Sequence, residues 1–266
     1  MHEGPPDGIP LLVPSLDELG DALGAAATVL RANAAAAGLD AAVPTCPGWT
    51  VRDLVAHQGM VHRWAASHLR GNPNADPEAI ARDGLASPDL LGWFDEGATE
   101  LLQSVVDAPD DLDALVFLKD PPSPRVFWTR RQCHETSIHA ADALSARLGR
   151  APRADETWIR PAIALDGTDE LLTGFVPRSR QGVRHEPMRV LVAPMSTTRA
   201  WLLDAAPDRA PIVTRLELEA GGPVPAHDAV LTGEPVEVLL RLWSRGGAPR
   251  DELERWWTDT VSVTWS

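Results

Sequence analysis

The chain has 266 residues, of which 44% are hydrophobic and 23% charged, and this ordinary composition excludes a disordered or fibrous protein. A formal net charge of −14 at pH 7 would repel a polyphosphate backbone, so we expect no nucleic-acid partner. The apolar stretch 9–13 is too short for a membrane span or a signal-peptide core, and we expect a cytoplasmic protein without a membrane partner.

The chain is longer than most single-domain proteins, which predicts two domains that share a cleft. The spacing of apolar residues changes near residue 152. We therefore predict an N-terminal domain over 1–152 and a smaller C-terminal domain over 153–266.

Four segments of the N-terminal domain have apolar residues three and four positions apart, which is typical of helices that bury one face. They cover about 15–38, 50–71, 87–106 and 128–149. Capping boxes mark the first two starts, since Ser15 precedes Glu18 and Thr50 precedes Asp53 by three residues. The pattern predicts an all-α four-helix bundle. Long connections after the second and third helices leave room for a lid or a substrate loop.

The C-terminal domain has a different pattern, in which apolar and polar residues alternate. Alternating runs at 188–193, 199–204, 212–219 and 260–265 predict the strands of an antiparallel sheet. Helices near 157–175, 234–243 and 249–257 would cover one face of that sheet. The prediction for this half is an α+β fold.

The fourth predicted helix contains a candidate half-site for a metal ion. Glu135 and His139 are four residues apart, so their side chains emerge on one face of a helix. His57, on the inward face of the second helix, is the best third ligand. His68 is eleven residues further along, roughly 16 Å at 1.5 Å per residue, and cannot bind the same ion. Two imidazoles and one carboxylate suit zinc and leave a coordination position open.

Other interpretations of these residues remain open at this point. A single inward-facing histidine such as His57 is more often a core residue with satisfied hydrogen bonds than a metal ligand. For Glu135 and His139, a polar pair on a solvated face explains the spacing as well as metal binding does. His134 lies five residues before His139, so the His-Glu-x-x-His motif of metalloproteases is not present. Asp142, seven residues after Glu135 on the same helical stripe, is a candidate to orient a ligand.

The remaining candidate groups have simpler explanations. Cys46 and Cys133 are too few for a disulfide framework, and we interpret both as small packed thiols without a nucleophilic role. Three arginines at 178, 180 and 184 offer charge for a substrate carboxylate, but a solvated loop is the default interpretation.

Three segments resemble one known family. The segment 43–57, Val-Pro-Thr-Cys-Pro-Gly-Trp-Thr-Val-Arg-Asp-Leu-Val-Ala-His, and the segment 131–143, with His-Glu-x-x-x-His-x-x-Asp, resemble the mycothiol-dependent maleylpyruvate isomerase family. The segment 231–245 resembles the end of the family's C-terminal domain. The resemblance implies a DinB-like four-helix bundle for the N-terminal domain.

The resemblance also implies roles for particular residues. The family's three metal ligands correspond to His57, Glu135 and His139. Its functional arginine corresponds to Arg245, although Arg241 and Ser244 differ from the Trp and Gly often found there. The family uses mycothiol, a small thiol, together with zinc or another divalent metal.

We therefore expect an enzyme that binds mycothiol and a small-molecule electrophile, with Arg245 at the substrate. A thiol attacks carbon only as the thiolate, and a metal that binds sulfur supplies this activation at neutral pH. The sequence does not choose between thiol transfer and isomerisation, and a metal-dependent hydrolase or a non-catalytic binding protein are alternatives. We expect a monomer or a homodimer.

Overall fold

The computed structural model describes residues 14–72, 74–178 and 187–260, and it is mainly helical. The α-helices are α1 (Leu16–Ala37), α2 (Val51–Leu69), α3 (Pro77–Ala86), α4 (Leu90–Asp107), α5 (Pro124–Leu148), α6 (Pro161–Asp169), α7 (Pro235–Leu242) and α8 (Glu252–Thr260). The strands are β1 (Met188–Pro194), β2 (Arg199–Ala206), β3 (Arg209–Glu217) and β4 (Ala229–Gly233). A 3₁₀ turn (Ala154–Glu156) precedes α6, and a π-helix (Glu170–Phe175) and a second 3₁₀ turn (Val176–Arg178) follow it.

The predicted helical bundle is confirmed in part. Helices α1, α2, α4 and α5 match the four predicted segments, and both predicted capping boxes form. Helix α5 begins about one turn earlier than expected, at Pro124. The addition is α3, which occupies much of the connection predicted after the second helix. Of its ten residues only Gly84 is buried, so the apolar spacing that predicts a helix is weak here. The feature of the sequence that indicates this helix is Asp76, an N-cap residue directly before Pro77 in the first helical position.

Helix α5 lies inside the protein and not on one side of it. Every residue from 127 to 145 is buried, although an amphipathic helix would keep one polar face in water. Helices α1 and α2 contact α5 from the bundle, and side chains of α6 and the π-helix contact it from the C-terminal half. The polar residues of α5 are therefore enclosed and need partners within the protein.

The predicted antiparallel sheet is also confirmed in part. The strand order is β3-β2-β1-β4, in which β1 pairs antiparallel with β2 and β2 antiparallel with β3. Strand β4 was not predicted, and it pairs parallel with β1, so the sheet is mixed. The connection from β3 is too long for a tight hairpin, and it carries the chain to the opposite edge of the sheet, where a parallel pairing is accessible. The strand predicted over 260–265 lies outside the described residues, except for its first residue, which ends α8.

The single helix predicted over 157–175 is divided. Helix α6 covers only Pro161–Asp169, and the π-helix continues from it. The two later predicted helices are confirmed as α7 and α8.

One hydrophobic cluster extends across the predicted domain boundary. It includes Leu23 and Trp128 from the bundle, Leu171 from the π-helix, Trp201 from the sheet and Leu239 from α7. The division at residue 152 stays a prediction. None of the helices in the described part of the chain combines the length and the apolar character needed to cross a bilayer.

The bundle core provides a test of the packing. Leu101 on α4 is fully buried, whereas Leu85 on α3 is 50% exposed. We expect Leu101→Ala to lower the free energy of unfolding by about 2–5 kcal/mol, because it removes buried methyl groups and leaves a cavity. The matched variant Leu85→Ala should change it by less than about 0.5 kcal/mol. Urea unfolding of both variants measures this, and equal effects would contradict the assigned packing of α4.

Candidate metal centre

Helices α2 and α5 bring the three predicted ligands together. His57 lies two turns into α2, while Glu135 and His139 lie on adjacent turns of α5. Nε2 of His139 is 3.2 Å from Oε1 of Glu135, and Nε2 of His57 is 3.6 Å from the same oxygen. One ligand atom from each of the three residues lies within 4.8 Å of the other two. This spacing is compatible with a single ion bound to all three.

The hydrogen bonding of these residues indicates that something else belongs between them. Within the described ranges, neither Nε2 of His57 nor Oε1 of Glu135 has a hydrogen-bond partner, although both atoms are buried. A buried polar atom without a partner costs about 1–3 kcal/mol, and more when the group is charged. A cation bound to both atoms would remove that cost, so the donor set fits a metal.

Neighbouring side chains direct the free atoms of the ligands inward. Nδ1 of His139 lies 2.9 Å from Oδ2 of Asp142. When the imidazole is neutral, as a metal ligand must be, donation of the Nδ1 proton to this carboxylate leaves Nε2 with its lone pair toward Glu135. Nη2 of Arg131 donates to Oε2 of Glu135 at 2.7 Å, which leaves Oε1 for the centre. The predicted role of Asp142 agrees with this geometry.

A tight loop between α1 and α2 covers the site with an indole ring. Gly48 has a φ of +89°, a conformation that residues with a Cβ rarely adopt, and it makes the turn from Cys46 to Trp49. The Trp49 ring stacks on His139 with centroids 6.1 Å apart and meets His57 edge-on at 5.1 Å. Trp49 therefore restricts the orientation of both imidazoles.

Arg245 reaches this region from the C-terminal half. Its Nε and Nη2 donate to the two oxygens of Asp142 at 3.0 and 3.1 Å, and Nη1 donates to the Trp243 carbonyl at 2.8 Å. Asp142 also accepts hydrogen bonds from Thr45 at 2.6 Å and from the thiol of Cys46 at 3.2 Å. The arginine is thus beside the predicted ligands, joined to His139 through Asp142.

Charges in the centre shift several pKa values. Burial opposes ionisation of Glu135, but its contacts with His139 and His57 and the charge of Arg131 hold its pKa well below the usual range. Burial also opposes protonation of His139, yet Asp142 and Glu135 raise its pKa to about 9. A metal that binds His139 therefore displaces a proton.

The pKa of the thiol nearest the site, that of Cys46, is shifted so that the charged form is disfavoured. Burial, together with the negative charge of Asp142, raises the pKa of Cys46 to about 12. The thiol is therefore protonated at neutral pH and a poor nucleophile. This agrees with the interpretation of Cys46 as a packed residue.

Other candidate residues lie elsewhere. His68 is buried with its ring stacked on Trp128 at 4.7 Å, and His134 contacts Asp166 with Nε2 and Oδ2 2.6 Å apart. Cys133 is fully buried in the hydrophobic cluster. The side chain of Arg178 lies over the ring of Phe117, and positions 180 and 184 fall outside the described residues.

Two residues of the site were not found from the sequence. Arg131 is four residues before Glu135 on the same helical face. That spacing is the sequence feature from which its contact with Glu135 could have been predicted. Trp49 lies in a loop with no periodicity to place it. Its position depends on the turn at Gly48, which only the structure reveals.

Comparisons with known proteins identify a matching family and structures of similar fold. Residues 20–144 match the family described as "Mycothiol maleylpyruvate isomerase N-terminal domain". A comparison with curated protein sequences finds no match. Crystal structures of a mycothiol-dependent maleylpyruvate isomerase are similar in fold. The structure of a mutant form has a TM-score of 0.56 at 13% identity, and the other has 0.54 at 15% identity. In both comparisons the match covers 86% of this chain and 88% of the other.

The structural likeness extends beyond the bundle into the C-terminal half, and at these identities it shows the fold alone. The family match covers α2, most of α5 and all three predicted metal ligands. The resemblance found in the sequence is confirmed, since residues 20–144 match the mycothiol maleylpyruvate isomerase N-terminal domain family.

Proposed function

We propose that the protein is a metal-dependent enzyme that uses mycothiol as the thiol cosubstrate in a reaction with a small electrophile. The observation that carries the proposal is the convergence of His57, Glu135 and His139 around buried atoms that lack hydrogen-bond partners. Two imidazoles and a carboxylate form the ligand set of many catalytic zinc sites, which keep one coordination position open. Zinc or another divalent metal fits this centre.

When bound, the metal would hold a coordinated thiol as the thiolate at neutral pH. The side chains of the protein prepare the site for this chemistry. Asp142 fixes the tautomer of His139, Arg131 occupies one oxygen of Glu135, and Trp49 keeps water from one side of both imidazoles. These contacts hold the ligands in place before any substrate arrives.

Two reactions are compatible with a thiolate at this centre. In thiol transfer the thiolate adds to one carbon of a carbon–carbon double bond, the π bond opens and the other carbon takes a proton; the sulfur–carbon bond remains, so thiol is consumed. In cis–trans isomerisation of a maleylpyruvate-like compound the same addition opens the double bond, the skeleton rotates about the resulting single bond, and the double bond re-forms as the sulfur leaves, so thiol is recovered. The amount of thiol consumed per product molecule distinguishes the two.

We further propose that Arg245 contacts the substrate. Each terminal nitrogen of a guanidinium carries two hydrogens, so Nη1, which donates one to the Trp243 carbonyl, has a second for an oxygen of the electrophile. The hydrogen bonds to Asp142 fix the guanidinium in place. A fixed donor at the reacting centre stabilises negative charge as it develops there.

The metal assignment is tested by composition. We expect the purified protein to contain about one zinc-like ion per chain, and His57→Ala and His139→Ala each to lose most of it, since each removes one of three protein ligands. His68→Ala is the matched control, because His68 is a buried histidine of α2 outside the centre. Elemental analysis measures the content. Wild-type metal occupancy in both ligand variants would refute the assignment.

Dependence on added thiol tests the chemistry. We expect metal-loaded protein to convert an electrophile such as maleylpyruvate only when mycothiol is present, and Cys46→Ser to keep most of that turnover, because the reacting sulfur belongs to mycothiol. Product and free thiol are followed together. Turnover without mycothiol would instead indicate a hydrolase, and loss of turnover in a Cys46→Ser variant that still binds metal would return the cysteine to the mechanism.

Arg245 is tested with a substitution that keeps the charge. Lysine lacks the planar fork that holds Asp142 and a substrate oxygen together, so we expect Arg245→Lys to lower kcat/KM about a hundredfold, or about 2.7 kcal/mol, with metal content unchanged. Arg241→Lys is the control, since Arg241 on α7 pairs with Glu254 and not with Asp142. Loss of metal in Arg245→Lys would show that the arginine acts through His139, against a substrate role.

A further inference from the structure

The arginine that contacts Glu135 is shared with a second carboxylate. Arg131 is fully buried, and while its Nη2 donates to Glu135, its Nη1 donates to Oε2 of Glu170. The rings of Phe175 and Trp243 flank its guanidinium, with Cζ 5.0 and 5.9 Å from the ring centroids. Arg131 therefore joins a candidate metal ligand to the C-terminal half of the protein.

The position of Glu170 follows from the pattern of acidic residues in its own segment. Asp166, Asp169 and Glu170 are three and four residues apart, so they share one helical face. All three are buried against α5, where Asp166 and Asp169 pair with Arg130 and Glu170 pairs with Arg131. Glu170 is the first residue of the π-helix, a conformation found often at functional sites.

The two carboxylates hold opposite ends of one guanidinium. Arginine binds carboxylates most strongly when two of its N–H groups meet both oxygens of the same group. With Glu170 removed, Nη1 loses this carboxylate, and the attraction of Glu135 favours a turn of Arg131 that brings both terminal nitrogens toward Glu135. Such a pair would occupy Oε1, the oxygen that faces His57 and His139.

Charge acts in the same direction. Between two carboxylates, the single positive charge of Arg131 is divided, and Glu135 keeps more of its negative charge for a cation. Without Glu170, the full charge of Arg131 acts on Glu135 at 2.7 Å in a buried environment, where electrostatic interactions are strong. Glu135 would then be a weaker ligand for a divalent ion in the centre. The ion would also be repelled more strongly by Arg131, whose charge is no longer balanced by Glu170.

We propose that Glu170 is a positioning residue for Glu135: by holding one edge of Arg131, it keeps Oε1 of Glu135 directed into the metal centre. In the described residues, the side-chain contact of Glu170 is with Arg131, and it acts on Glu135 through that arginine. The proposal rests on the proposed function only in requiring that the centre binds a divalent metal.

The test is the metal affinity of Glu170→Gln, which keeps the side-chain shape and removes the charge. Changes in groups that orient metal ligands typically cost 10–100-fold in affinity, and at one residue further away we expect the dissociation constant for Zn²⁺ to rise about tenfold. Competition with a chromophoric chelator measures it. The visible absorption of the Co²⁺-substituted protein should also change, because it reports ligand geometry directly.

Asp166→Asn is the matched control. Asp166 lies on the same acidic face and is equally buried, but it pairs with Arg130 and His134 and makes no contact with Arg131. It should lose stability while keeping its Zn²⁺ affinity within about twofold. Glu170→Asp keeps the charge on a shorter side chain, so its affinity should lie between those of the wild type and Glu170→Gln.

The outcomes separate this proposal from the metal centre itself. If wild-type protein binds no Zn²⁺ or Co²⁺, the proposed function fails. If the wild type binds both ions and Glu170→Gln binds them with unchanged affinity and spectrum, the role of Glu170 is overturned and the metal centre stands. Equal weakening in Asp166→Asn would also overturn it, since the effect would then reflect general loss of packing. If Glu170→Gln does not fold, wild-type affinity in Glu170→Asp would overturn the proposal in the same way.

Discussion

The structure depends on the burial of a charged helix. Helix α5 carries arginines, histidines and carboxylates, and it lies enclosed from residue 127 to 145. A buried charge without a partner is costly, so the charged groups of α5 need partners on the elements packed against it. The C-terminal half supplies the acidic face of α6 and the π-helix toward Arg130 and Arg131, and it supplies Arg245 toward Asp142. The arrangement of the two halves follows from this pairing.

In the candidate metal centre the pairing of α5 is incomplete, because Oε1 of Glu135 has no hydrogen-bond partner among the described residues. Arg131 and Asp142 satisfy the outer atoms of Glu135 and His139, and the inner atoms face His57. The same hydrogen bonds that allow the helix to be buried also select which ligand atoms stay available. Stability and the proposed chemistry thus use one set of contacts.

The sequence predicted the main helices, three of the four strands in the described residues and the three converging candidate ligands, because apolar spacing and caps are local properties. Glu135 and His139 were predictable as a pair since four residues on a helix are neighbours in space. The parallel pairing of β4, the burial of α5 on all sides and the ring of Trp49 over the site depend on distant parts of the chain. Local spacing carries no information about such contacts. The spacing of Arg131 and Glu135 predicts an ion pair, but the role of that pair becomes clear only from the position of Glu170 in the structure.

The complementary faces of α5 and the segment from Asp166 to Glu170 have a consequence for how such a protein diverges. The two arginines of α5 and the three carboxylates of the facing segment must change together. Replacing either set alone would leave buried charges without partners. A C-terminal half from a relative can be grafted onto this bundle only if it brings carboxylates at the same three positions. The charge pairs at this interface therefore determine which bundle can be combined with which C-terminal half. They limit recombination more tightly than the apolar contacts around them.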